Sequence, residues 1–157
     1  MTDFSHLNEK GEARMVDVSA KQQTARQATV KGLVVMAAET LERIMGGDMP
    51  KGDVLSTARI AGIMAAKKTA ELIPMCHPLP ITEVTVSFEP VPEGPAIEIT
   101  ASVKTLDRTG VEMEALTAAT IAALTLYDMA KAVDKRMRIT DMRVVEKLGG
   151  KSGTFRE

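Results

Sequence analysis

From Ala115 to Tyr127 the chain reads ALTAATIAALTLY with no charged side chain, between Glu112 and Glu114 on one side and Asp128 and Lys131 on the other. The run is shorter than the roughly 20 apolar residues that cross a bilayer and is dotted with threonine, so no membrane span is expected. At 100° per residue, Val111, Ala115, Ala118, Ala122, Leu126, Met129 and Val133 share one stripe. The opposite side carries Thr117, Thr120, Ile121, Leu124 and Thr125 where charges would normally stand. A helix without a wetted face is buried on several sides, and a single sheet covers only one of them. The second face is therefore expected to meet another copy of the chain.

The flanking segments say what sheet this is. TARQATVKGLVVM is rich in Val and Thr and reads as a strand, with a bulge expected at Gly32. AAETLERIMGG is a short helix closed by Gly46 and Gly47. GDVLSTARIAGIMAAKKTAELI is a longer one, with Asp53 as N-cap and Pro74 as its stop. ITEVTVSFEPV and AIEITASVKTL alternate apolar and polar residues on either side of PEGP and pair as an antiparallel hairpin. The charge-free helix is expected from Thr109 to about Asp134, with Thr109 and Glu112 as a capping box, and RMRITDMRVVEKL is the last strand. This order is the ferredoxin-like split βαβ plan of an α+β protein, an antiparallel sheet covered by helices on one face. Residues 1–157 make one domain, with an extended arm over 1–23 and a flexible, basic, glycine-rich tail over 147–157.

Several function classes drop out on composition. A formal charge of -1 gives no field to steer nucleic acid, and 3% aromatic residues without Trp leave few stacking platforms. The single cysteine excludes an internal disulfide, and the polar start MTDFSHLNEKGEARM has no signal-peptide core, which points to the cytoplasm.

The chemistry-bearing residues are scattered. ELIPMCHPLP, residues 71–80, sets Cys76 beside His77. Structural zinc needs about four ligands, and with one Cys and only His6 besides His77 they run out, so no metal site is expected. Adjacent residues in an extended loop point apart, which argues against a Cys-His nucleophile pair. A buried cysteine beside a hydrogen-bonded histidine and a pocket wall both remain open. GGKSG near the end resembles the close of a P-loop, but Val145 stands where that motif has Gly. Lys51 precedes a helix N-terminus, where free N–H groups favour anions. Arg26, Lys51, His77, Lys131, Lys147 and Lys151 together suit a polyphosphate, or else the tail is a frayed end. Asp128 is expected among apolar neighbours, Ile121 and Leu124, where a poorly hydrated carboxylate serves as acid or base. Asp128 projects about 40° from Glu114 at the far end of the helix, ~21 Å along its axis, so one site uses both ends only with a long ligand or a second subunit.

The runs MVDVSAK, KGDVLSTARIAGIMAAKKTAELIPMCHPL, TGVEMEALTAA, YDMAKAV and GGKSG closely resemble the cyclic pyranopterin monophosphate synthase (MoaC) family of molybdenum cofactor biosynthesis, over nearly the whole chain. The resemblance implies a lyase that converts 3',8-cyclo-7,8-dihydro-GTP, made by a radical SAM GTP cyclase, into cyclic pyranopterin monophosphate and diphosphate. It implies a ferredoxin-like subunit in a homohexamer, a trimer of dimers, with sites at subunit interfaces. It makes Asp128 the acid/base, with Lys131 and Lys51 beside it. Met75, Cys76 and His77 become one wall of the substrate pocket and Met113 with Glu114 another. Arg26, Lys147 and Lys151 become phosphate contacts, and Glu112 a support for the base. No redox cofactor is implied, and Mg²⁺ as companion of the triphosphate stays open. The rivals are a non-catalytic nucleotide-binding regulator on the same fold and an unrelated proton-transfer enzyme acting on another phosphorylated substrate.

Overall fold

Strand β1, Thr24–Val35, sends Ala28, Val30 and Val34 to one face, where they are fully buried. Its neighbour β3, Ala96–Asp107, does the same with Ile97, Ile99, Ala101 and Val103. The two pair antiparallel from Thr24↔Asp107 to Val35↔Ala96. β2, Ile81–Pro90, adds to the outer edge of β3 through the expected hairpin, and β4, Arg138–Leu148, pairs on the other side of β1. A short β5, Phe155–Arg156, closes the order β2-β3-β1-β4-β5. The computed structural model describes residues 5–157, and this sheet with helices on one face is the expected α+β, ferredoxin-like arrangement. The opposite face carries polar pairs such as Lys31 with Glu98 at 2.6 Å and Lys104 with Glu83 at 3.0 Å.

The glycine in β1 bends the sheet where it was expected to. Lys31 faces Arg143 and Leu33 faces Thr140, so Gly32 alone opposes Asp141 and Met142 of β4. Asp141 takes the left-handed conformation, φ 59°, which Asp tolerates better than most side chains.

Helix α4, Glu112–Ala130, lies on the sheet with Ala115, Ala118, Ala122 and Leu126 fully buried. Much of its second face is covered from within the chain. Helix α2, Val54–Ala66, packs along it, and Ala119 and Ala123 are fully buried as well. Gly62 makes the approach close: a Cβ there would stand 2.8 Å from the Ala118 carbonyl oxygen and 3.2 Å from Ala122 Cβ. What remains open is narrower than the sequence implies, with Leu124 53% exposed and Ile60 and Met64 of α2 60% and 53% exposed.

Three local expectations are corrected. Thr109 does not cap α4, because the helix starts after Val111 with no side-chain cap and Glu112 is engaged elsewhere. The helix expected from Asp53 to Ile73 breaks at Lys67–Lys68, where Thr69 Oγ1 donates to the Ala66 carbonyl at 2.9 Å and a separate turn, α3, Thr69–Leu72, begins. Its N-cap holds as expected, with Ser56 N–H donating to Asp53 Oδ1 at 2.9 Å. α4 also ends before Asp134, whose carboxylate accepts from Ala37 N–H at 2.9 Å and Thr40 Oγ1 at 3.2 Å. It thereby caps helix α1, Ala38–Gly46, which has no cap of its own.

Residues 1–4 of the N-terminal arm lie outside the described residues. The rest forms turns joined by a Leu7↔Ala13 bridge. Residues 147–157, read from their glycines as a tail, double back as a hairpin. Gly149 and Gly150 take φ of 84° and 81°. Lys147 then faces Phe155, and Arg143 Nε holds Glu157 at 2.8 and 2.9 Å. Among the described residues no helix is long and apolar enough to cross a membrane.

Candidate active site

The broken helix delivers the loop Ile73–Pro80 to the N-terminal end of α4. Thr105 Oγ1 of β3 fixes the loop by donating to the Pro80 carbonyl at 2.7 Å. His77 Nε2 lies 2.7 Å from the Val16 carbonyl. A carbonyl only accepts, so Nε2 carries the proton and Nδ1 is left as the second polar atom of the ring. That bond holds the MVDVSAK segment over the loop. Together they enclose a cleft of about 460 Å³, lined by Met75, Cys76 and His77 on one wall and Glu112, Met113 and Glu114 on the other.

Glu114 is 4% exposed. Burial pushes its carboxyl up to about 7, opposed by its own backbone N–H and assisted by the charge of Glu112. The Cys76 thiol is raised as well, first by burial and then by Glu114. A thiol raised in this way is protonated at neutral pH, which suits a wall of the cleft better than a nucleophile.

A second chamber of about 810 Å³ adjoins the first through Lys21, Thr109, Gly110 and Glu112. Its cations are Lys21, Arg26, Arg108, Lys147 and Lys151, supplied by the arm, β1, the β3–α4 loop and the C-terminal hairpin. Lys147 forms an ion pair with Glu112. Arg26 is largely committed: Nε donates to the Asp107 carbonyl at 3.0 Å and Nη2 to that of Arg108 at 3.2 Å. It braces the loop that roofs both chambers, a positioning task that the sequence reading as a phosphate contact did not include.

Asp128, Lys51 and Lys131 come together as expected, but elsewhere. Lys131 Nζ stands 2.7 Å from Asp128 Oδ1, and Lys51 Nζ 3.0 Å from Oδ2 and 3.2 Å from the Asp128 carbonyl. The expected poor hydration is not found within the chain. The Asp128 side chain is 54% exposed, and hydrogen bonds from Lys131 and Lys51 with their charges hold its carboxyl below the usual range. Its neighbour Leu124 is itself exposed and so shields nothing. The carboxylate is ionised at neutral pH, as a base must be, while Glu114 at the other end of the same helix is close to half protonated. The two ends remain ~21 Å apart by helix rise.

The expected pocket residues Met75, Cys76, His77, Met113, Glu114, Glu112, Arg26, Lys147 and Lys151 all line the double cleft. Lys21, Arg108, Thr109 and Gly110 were not among them. Lys21 stands at the end of MVDVSAK and Arg108 beside the start of α4, and their basic character next to named motifs was the available signal. Among the described residues no group of three or more His, Cys, Asp or Glu side chains converges as a metal site.

Comparison with known proteins agrees with this layout. The MoaC family model matches residues 15–150, from the arm segment that His77 holds to the first turn of the C-terminal hairpin. The chain is 61% identical to the cyclic pyranopterin monophosphate synthase of Desulfitobacterium hafniense, over 98% of this chain and 93% of that protein. It is 60% identical to the protein of the same name from Nostoc sp., over 98% and 91%. The one from Pelotomaculum thermopropionicum is 58% identical over 99% and 91%. With the family pattern spanning both chambers and the Asp128 cluster, the chain belongs to the MoaC family.

Proposed function

We propose that this chain is a cyclic pyranopterin monophosphate synthase, a lyase of molybdenum cofactor biosynthesis that converts 3',8-cyclo-7,8-dihydro-GTP into cyclic pyranopterin monophosphate and diphosphate. The observation that carries the reading is a ring-sized chamber with a buried carboxyl and a histidine, opening on a cation-lined chamber. The chain around it is 61% identical to a protein of that name.

The reaction opens and rebuilds rings. It then joins a ribose-derived hydroxyl oxygen to the α-phosphorus while the bond to the β-phosphate breaks and diphosphate leaves. Such steps call for repeated proton transfers and a stabilised anionic leaving group. Lys147, Lys151 and their neighbours hold the phosphates, and His77, Cys76, Met75, Met113 and Glu114 hold the rings. Asp128 moves protons, with Lys51 and Lys131 offsetting charge. The separation along α4 makes the working site a composite of one subunit's cleft and a neighbour's Asp128 cluster, in a homohexamer built as a trimer of dimers. The exposed apolar residues Ile60, Met64 and Leu124 support such association. A radical SAM GTP cyclase supplies the substrate in the cytoplasm. The proton transfers and the loss of diphosphate call for no redox cofactor.

A non-catalytic nucleotide-binding regulator would need the basic chamber but not two lysines converging on Asp128. The test is diphosphate release with detection of the pterin product on adding 3',8-cyclo-7,8-dihydro-GTP to the native protein and to Asp128→Asn. Release by the native protein alone is expected. Binding without release in both would favour the regulator.

A further inference from the structure

The ion pair between Lys147 and Glu112 stands at the junction of the two chambers, both side chains being 27% exposed. Its position is built into the backbone. Gly110 leaves room for the Glu112 carboxylate, since a Cβ there would come within 2.0 Å of Glu112 Oε2. Arg26 is held by two carbonyls, and Lys147 already carries an anion. A polyphosphate entering this chamber must displace the Glu112 carboxylate from Lys147 or bear its repulsion.

We propose that Glu112 is an internal stand-in for phosphate. In the empty protein it occupies Lys147, a phosphate of the substrate displaces it, and its return to Lys147 helps expel diphosphate. The inference rests on the reading of the basic chamber as the phosphate site. Glu112 also lines the ring chamber, so the displaced carboxylate stays in the cleft. A closed pair lowers apparent affinity by the fraction of molecules in which Lys147 is occupied, and removing the carboxylate removes that handicap. Simple repulsion by Glu112 would also weaken anion binding, but it would act whether or not Lys147 were present.

The experiment is calorimetric titration of the full-length native protein with inorganic diphosphate, beside Glu112→Gln, Lys147→Met and the double variant. Glu112→Gln should bind diphosphate at least about fivefold more tightly than native and should show stronger product inhibition in any residual turnover. In the Lys147→Met background the same change should have little effect, because the competition runs through that lysine. Gly110→Ala supplies a charge-neutral check: by pushing the carboxylate off its resting place it should tighten diphosphate binding, whereas general damage to the loop would weaken it. Glu112→Gln binding no more tightly than native, or tightening equally with and without Lys147, would overturn the exchange while leaving the chamber a phosphate site. Diphosphate binding that is absent, or indifferent to Lys147, would overturn both.

Discussion

Replacing Glu114 by glutamine should stabilise the protein at pH 8 and change it little at pH 5. The folded chain holds this carboxyl at about 7 against an ordinary 4.5, chiefly because burial removes its hydration. Between those two values the folded state keeps a proton that the unfolded chain releases, so stability falls as pH rises through this window. Above the folded value the full penalty is present, and below the ordinary value there is none. The difference between 7 and 4.5, at about 1.36 kcal/mol for each pH unit, is on the order of 3 kcal/mol. Glutamine has nearly the same volume and no charge to desolvate, so it escapes the penalty at high pH. Urea unfolding of both proteins at pH 5, 6, 7 and 8 should show a midpoint gap that widens with pH, reaching ~1 M or more for a slope of ~2 kcal/mol per molar urea. Protein concentration must be held constant, because self-association adds its own stabilisation. A variant weaker by the same amount at every pH, or a native midpoint that is flat from pH 5 to 8, would refute desolvation of Glu114.

Other consequences of the packing are open to measurement. Gly62→Ala would ordinarily favour a helix by ~1 kcal/mol. Here the added methyl meets the Ala118 carbonyl oxygen at 2.8 Å, and overpacking of ~1–3 kcal/mol should win, so Tm should fall by a few degrees. Asp134, held below the usual carboxylate range mainly by Ala37 N–H, contributes stability above the ordinary aspartate pKa that is lost as acid protonates it. Asp134→Ala should cost ~1–2 kcal/mol at pH 7 by denaturant unfolding, with the gap narrowing as the pH falls below the ordinary aspartate value. Lys131→Met removes the largest cause of the lowered Asp128 carboxyl, so carbon NMR titration should find it risen towards its ordinary value.

The sheet is legible because period-two alternation in ITEVTVSFEPV and AIEITASVKTL has one physical outcome, and Gly32 marked the place where two residues of β4 face one of β1. Local motifs fail where a distant group competes for the same atoms. Thr109 and Glu112 have capping-box spacing, but Lys147 from the other end of the chain takes the carboxylate. The break at Lys67–Lys68 has neither Gly nor Pro to announce it, and the Thr69 hydroxyl that bonds Ala66 is an ordinary helix residue in the sequence. The charge-free run of α4 correctly signals burial on more than one side, but a pattern of apolar residues does not name the covering partner. Gly62, a glycine in the middle of a helix, was the unread sign that α2 comes close. Within one chain Asp128 is wetter than the hydrophobicity of its neighbours implies, because Leu124 is exposed itself.

Helix α4 therefore carries two oppositely tuned carboxyl groups. Glu114 sits near the N-terminus, where the helix dipole would favour its anion, yet burial keeps it close to half protonated at neutral pH. Asp128 sits near the C-terminus, where the dipole disfavours an anion, yet two lysines keep it ionised. An acid and a base acting at one small reacting centre must stand close together, whereas one chain holds these two carboxyl groups ~21 Å apart along the helix. If a neighbour's Asp128 completes each cleft, Asp128→Asn and Glu114→Gln damage different subunits of the same site, so mixing the two inactive proteins should regenerate intact sites. With random pairing, half of the interfaces join unlike chains and one of the two sites in each is whole, so about a quarter of native diphosphate release should return. The mixture must be co-expressed, or unfolded and refolded together, so that subunits exchange. Activity that stays at the level of the separate variants, although mass spectrometry finds mixed oligomers, would mean that each cleft works with its own Asp128 or with none.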